Sequence, residues 1–191
     1  MAGSDSAGST AQTAAEPGGG EATGRTLVLL RHAKAVRDPQ FADHQRPLTD
    51  RGWRDAVAAG QLLRSRGFTA DRVLCSTALR AQQTWNGTAQ GGGEAAEVLY
   101  LEDVYEATLS RLVALVRRQP DTVQRLMVVG HGPGIPDLAE HISDRSSVDV
   151  ARARMNRKFS TCALATFSCP DSWAALGRSQ AQLVAFDIPR G

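Results

Sequence analysis

Thr26 to Leu30 (Thr-Leu-Val-Leu-Leu) is an unbroken apolar run of strand length, the pattern of a strand buried on both faces. The residues before it, 1–24, are almost all Ala, Gly, Ser, Thr, Glu and Gln. That composition has too little apolar area to offset the entropy of ordering a backbone, so it predicts a disordered tail and leaves 25–191 as one domain. After the first strand the period changes. Thr49 is placed as an N-cap, Asp50 lies in the positive first turn, and Leu48 is set to staple against Trp53. Trp53, Val57, Gly60 and Leu63 then recur at helical spacing, which predicts a helix to about Ser65, stopped at Gly67.

The alternation continues down the chain. Strands are predicted at Arg72 to Cys75, Val98 to Tyr100 and Leu126 to Val129, and helices at about Leu79 to Thr88, Leu109 to Arg118 and Ile135 to Ile142. Strands separated by helices imply parallel pairing through right-handed crossovers. Two further strand candidates, Cys162 to Phe167 and Leu183 to Phe186, are separated by loop signals from Asp171 to Ser179 and suit an antiparallel margin. The expected class is α/β: a three-layer α/β/α domain on a mostly parallel central sheet, with one antiparallel edge strand.

Composition narrows the function more than the fold. The 22 Lys and Arg nearly balance the 20 Asp and Glu, so the overall charge gives no reason to expect nucleic acid or an anionic membrane as partner. The Arg152, Arg154, Arg157, Lys158 cluster reads as a charged, solvated face. Three scattered cysteines, Cys75, Cys162 and Cys169, offer neither a disulfide framework nor a zinc-binding spacing, so no metal or cofactor is expected. Leu27 to Leu30 is the longest aliphatic stretch near the N-terminus, far short of a membrane span, and a cytoplasmic location is expected.

In a sheet of this kind ligands bind beyond the carboxyl ends of the strands. Three strands end in residues with chemistry: Arg31-His32-Ala33-Lys34, then Ser76 leading to Arg80, then Gly130-His131-Gly132. Alone, each is ordinarily a solvated or capping residue. Together they place two histidines and two arginines at one mouth. Arg37, Asp43, His44 and Arg46 lie in the loop after the first strand, where Arg46 is the best substrate contact and His44 is more simply exposed.

These residues resemble the histidine phosphatase superfamily, also called phosphoglycerate mutase-like. Arg31-His32-Ala33 matches its signature after the first strand, Ser76, Arg80, Ala81 and Thr84 match its Ser-x-x-x-Arg-Ala-x-x-Thr segment, and Gly130-His131 matches its later Gly-His. The short length and Arg46-Pro47-Leu48-Thr49 resemble the small SixA-type branch, named for a phosphohistidine phosphatase. Gly132 departs from relatives that carry a phosphate-binding side chain there, which reduces that contact to a backbone N–H.

The resemblance implies a phosphatase that works through a phosphohistidine intermediate, with no metal. Arg31 and Arg80 would hold the phosphoryl oxygens with paired donors, His131 would add a hydrogen bond, and Ser76 would bind substrate. His32 is the nucleophile by resemblance; by chemistry alone His131 could exchange roles with it. Two arginines nearby should keep the nucleophile neutral. Glu106 matches the carboxylic acid that ester-cleaving relatives use to protonate a leaving group, and a solvated carboxylate is an equal reading. The substrate is a phosphoprotein bearing phosphohistidine, or alternatively a small phosphate ester. A mutase or a phosphate-binding module without turnover ranks lower, since the chain has little room for a lid and no site member is missing.

Overall fold

The computed structural model describes residues 24–191. The expected disordered tail, 1–24, lies outside the described residues except for Gly24. Six strands form a single sheet: β1 (Arg25–Arg31), β2 (Thr69–Ser76), β3 (Glu94–Leu101), β4 (Arg125–Gly130), β5 (Leu164–Cys169) and β6 (Gln182–Asp187). Their order across the sheet is β3-β2-β4-β1-β5-β6. The first four run parallel, while β5 is antiparallel to both β1 and β6. The strand that opposes the others is therefore one place in from the margin, and β6 closes the edge beside it.

Five helices cover the two faces: α1 (Asp50–Ser65), α2 (Leu79–Gln90), α3 (Leu109–Arg117), α4 (Gly134–Ile142) and α5 (Asp149–Arg157). The β1 sequence shows how one strand serves two cores. Leu27 and Leu29 point into the cluster with Leu112, Leu138 and Ile142 of α3 and α4, while Val28 and Leu30 point into the cluster with Ala56, Ala59 and Leu63 of α1. All four are fully buried, as their unbroken apolar pattern requires. Thr49 caps α1, its hydroxyl accepting from the Gly52 N–H at 3.1 Å, and its own N–H donates to the Lys34 carbonyl at 2.9 Å. The α1 helix stops before Gly67, which takes φ +63°. Where α1 crosses α2, a Cβ on Gly60 would lie 1.9 Å from the Thr88 carbonyl oxygen, so only glycine allows that approach.

Two elements differ from the sequence reading. α5 falls on the arginine cluster read as a plain charged face; only Ala151 and Met155 of this helix are buried, an i, i+4 pair too sparse to signal a period. β5 begins at Leu164, not at Cys162, because Cys162 adopts φ +60° in the preceding turn. There its N–H donates to the carbonyls of Arg31 and His32, at 3.0 and 3.1 Å. Trp173 is a packing residue as expected, fully buried with its indole N–H on the Val123 carbonyl at 2.7 Å.

Candidate active site

Strand register builds the site. Arg31 of β1 sits opposite Gly130 of β4, so the residues that follow, His32 and His131, leave the sheet side by side. Their rings lie 5.1 Å apart. On the other side of β4, Cys75 pairs with Val129, which brings Ser76 beneath His131. The result is a polar cavity of about 250 Å³ at the carboxyl ends of the strands. Its wall includes Arg31, His32, Arg46, Arg80, Glu106, His131 and Gly132, so seven of the eight anticipated residues share one pocket. Ser76 is the exception. It is fully buried behind the wall, its Oγ 2.7 Å from Nε2 of His131, and so it faces a histidine and not the cavity.

His32 donates from Nδ1 to the Ala33 carbonyl at 2.8 Å, which leaves Nε2 as the free nitrogen. Burial, with further push from Arg80, Arg31 and Arg46, lowers its pKa to about 4. Burial, with His32 and Arg80 nearby, lowers that of His131 to about 3. Both rings are therefore neutral at ordinary pH.

Each arginine is anchored by a backbone carbonyl. Nη1 of Arg31 donates to Phe159 at 2.6 Å, and Nη1 of Arg80 donates to Asp43 at 2.6 Å. The Nε of each is buried and has no partner among the described residues, as is Nδ1 of His131. Three buried polar nitrogens on residues that line the cavity thus have no partner among the described residues, where each unmade hydrogen bond is costly. A Cβ at Gly132 would lie 3.3 Å from Cζ of Arg31, so any side chain there would press the guanidinium aside by a few tenths of an ångström.

Asp43 ties the mouth together. Its carboxylate accepts from Nη2 of Arg80 at 3.0 Å, from Nη2 of Arg46 at 2.6 Å and from the Tyr105 hydroxyl at 2.8 Å. Desolvation works to raise its pKa, but these hydrogen bonds and the Arg80 charge win and hold it well below the usual carboxylate range. Arg46 is thus engaged by Asp43 and by the Val36 carbonyl at the cavity edge. Glu106 is exposed, and its backbone sits at φ +46°, a strained setting for a residue with a Cβ. His44 is half-buried, contrary to its reading as simply exposed: Nε2 lies 3.0 Å from the Thr77 hydroxyl and its ring meets Tyr105 edge-on.

Lys34, at the end of the strand-end run Arg31-His32-Ala33-Lys34, lines the cavity as well. Two residues of this neighbourhood escaped the sequence reading. Tyr105 stands edge-on to His131 with 5.6 Å between rings. Thr161 lines the cavity from the far end of α5, and nothing in the sequence marks it.

The family model of the histidine phosphatase superfamily (branch 1) matches residues 27–125. The chain belongs to this superfamily. It is 40% identical over 162 residues to an uncharacterized protein of Mycobacterium tuberculosis, a match that covers 84% of this chain and 100% of the relative. A SixA structure from Nakamurella multipartitia superposes with a TM-score of 0.74 at 35% identity, covering 86% of this chain and 96% of that one. A SixA structure from Agrobacterium tumefaciens gives 0.71 at 27% identity, covering 86% and 99%. Within the superfamily the chain is thus of the SixA type, and it is a phosphatase acting on a phosphorylated substrate. Among the described residues, no helix is long and apolar enough to cross a membrane.

Proposed function

We propose that residues 25–191 form a phosphohistidine phosphatase domain that works through a covalent intermediate on His32. The observation that carries this is the hydrogen bond from Nδ1 of His32 to Ala33, which fixes the tautomer and leaves the Nε2 lone pair for attack beside Arg31, Arg80 and His131. Nε2 attacks phosphorus, an Nε2–P bond forms, and the bond to the leaving group breaks. Water then attacks the phosphohistidine, inorganic phosphate departs, and the imidazole returns to its starting state. The unpaired Nε–H groups of Arg31 and Arg80 and the free nitrogen of His131 supply donors for the charge that spreads over the equatorial oxygens.

Phosphohistidine is favoured as substrate by the likeness to SixA chains and by the leaving group itself, since imidazole departs with less proton assistance than an alkoxide. One observation favours small phosphate esters as a second reading: Glu106 lines the cavity, where it can protonate an alkoxide. The proposal is tested by His32→Ala. Turnover of phosphohistidine and of an aryl phosphate should vanish while vanadate or phosphate binding remains measurable through Arg31 and Arg80. Substantial residual turnover would move the nucleophile to His131.

A further inference from the structure

Ser76 is placed by motif among the substrate contacts, yet it cannot touch a cavity occupant. It is fully buried at the end of β2, and its Oγ lies 2.7 Å from Nε2 of His131. The same Oγ accepts from the Ala78 N–H at 3.2 Å. A hydroxyl has one proton to give. With the Ala78 amide already donating to the oxygen, that proton needs an acceptor, and among the described residues the only hydrogen-bonding partner left to it is Nε2 of His131.

We infer that Ser76 is a positioning residue: by donating to Nε2 it fixes His131 in the tautomer that carries its proton on Nδ1, the nitrogen left to donate to a phosphoryl oxygen. The inference rests on the reading of the cavity as a phosphoryl pocket and assigns the proton inventory within it. A cationic imidazole would donate from both nitrogens and need no such control. His131, however, is held neutral by burial, its pKa lowered to about 3, so it carries one donor and one acceptor, and which is which must be decided from outside the ring. In the wrong tautomer the Nδ1 lone pair would meet the phosphoryl oxygens and repel them as charge builds.

The orientation of the ring has other supports. His131 packs against His32 at 5.1 Å and edge-on against Tyr105 at 5.6 Å, and its carbonyl accepts from the Ile135 N–H at 2.8 Å in the first turn of α4. Removing one hydroxyl leaves these contacts in place. What Ser76 adds beyond them is the choice of nitrogen. Nδ1 is itself buried and has no partner among the described residues, which leaves its proton for an acceptor on a bound phosphoryl group.

The experiment reads the tautomer directly. In the full chain labelled with ¹⁵N-histidine, long-range ¹H–¹⁵N correlation at neutral pH, with His131 assigned by comparison with His131→Gln, should show the proton on Nδ1. Ser76→Ala should shift the ring toward the Nε2-protonated form and lower kcat by about 10²-fold, the scale of one transition-state donor, with a smaller change in KM. Ser76→Thr, which keeps the hydroxyl, should restore both the spectrum and most of the turnover. A wild-type proton on Nε2 overturns the inference, and so does a Ser76→Ala protein with an unchanged tautomer or unchanged kcat. If Ser76→Ala does not fold, the wild-type spectrum and Ser76→Thr decide the matter. Failure of the wild type to hydrolyse phosphate compounds would instead remove the phosphatase reading, and the tautomer would still be read independently.

Discussion

Lowering the pH from 7.5 to 5.0 should destabilise this protein through two residues that never leave the cavity. His32 and His131 take up protons at about 4 and about 3 in the folded chain, while a free imidazole does so near 6.5. Between those values the unfolded chain binds more protons than the folded one, so stability falls as pH falls and the loss is confined to the window below about 6.5. At pH 5.0 the unfolded form gains roughly 1.5 pH units of free energy per histidine, at about 1.4 kcal/mol each, or about 2 kcal/mol per residue. Because His32 is partly open at the cavity floor, its share is smaller, and about 3 kcal/mol for the pair is expected. Asp43 does not confuse the reading: its depressed pKa makes its contribution disappear only at still lower pH. Urea unfolding followed by tryptophan fluorescence at pH 7.5 and 5.0 measures the difference, and the slope against urea should be the same at both. His32→Gln/His131→Gln should flatten the dependence. If the wild type loses less than about 1 kcal/mol, or the double variant loses as much as the wild type, the histidines are not held neutral by their surroundings and the argument for a ready nucleophile fails.

The other expectations concern turnover. Arg80→Ala should lower the rate by about 10²- to 10³-fold, as removal of a single transition-state donor does, and an unchanged rate in steady-state assays would take Arg80 out of the site. Glu106→Gln should cut hydrolysis of an alkyl phosphate by about 10²-fold or more while sparing phosphohistidine and activated aryl phosphates. Equal losses on all three would make Glu106 structural, and equal small effects would remove it from catalysis. Activity should persist in excess EDTA, because Arg31 and Arg80 supply the positive charge that a metal would otherwise bring. Loss on chelation, restored by a divalent ion, would overturn that mechanism.

Legibility followed burial. The β1 run and the Thr49 cap were readable because each obeys a local rule that its surroundings reinforce, and the structure places both as expected; of the α1 stripe only Gly60 and Leu63 are buried, while Trp53 and Val57 are partly exposed and the small residues Ala56 and Ala59 take the core face. The edge strand β3 proved longer than its apolar centre, Val98 to Tyr100, because a strand exposed to solvent can begin at Glu94 without an apolar signal. α5 left little trace for the same reason. In the site, residues that follow strands were found because strand ends are where such sheets keep their ligands. Tyr105, Thr161 and the carbonyl of Phe159 were not, since what brings them there is tertiary packing. Ser76 shows the limit most clearly: its motif marks it as important, but only the geometry reveals that it faces His131 and not the cavity.

The anchor between Arg31 and Phe159 spans 128 positions of sequence. During synthesis, therefore, His32, Arg80 and His131 all leave the ribosome before the carbonyl that aims Arg31 exists. The turn at Cys162, whose amide bonds back to Arg31 and His32, arrives later still. Contacts of such long range form late, because the loop they close must first be ordered. A nascent chain thus carries every proposed reactive group for some time without the arrangement that makes them a phosphatase. Chemistry waits for β5 to settle against β1.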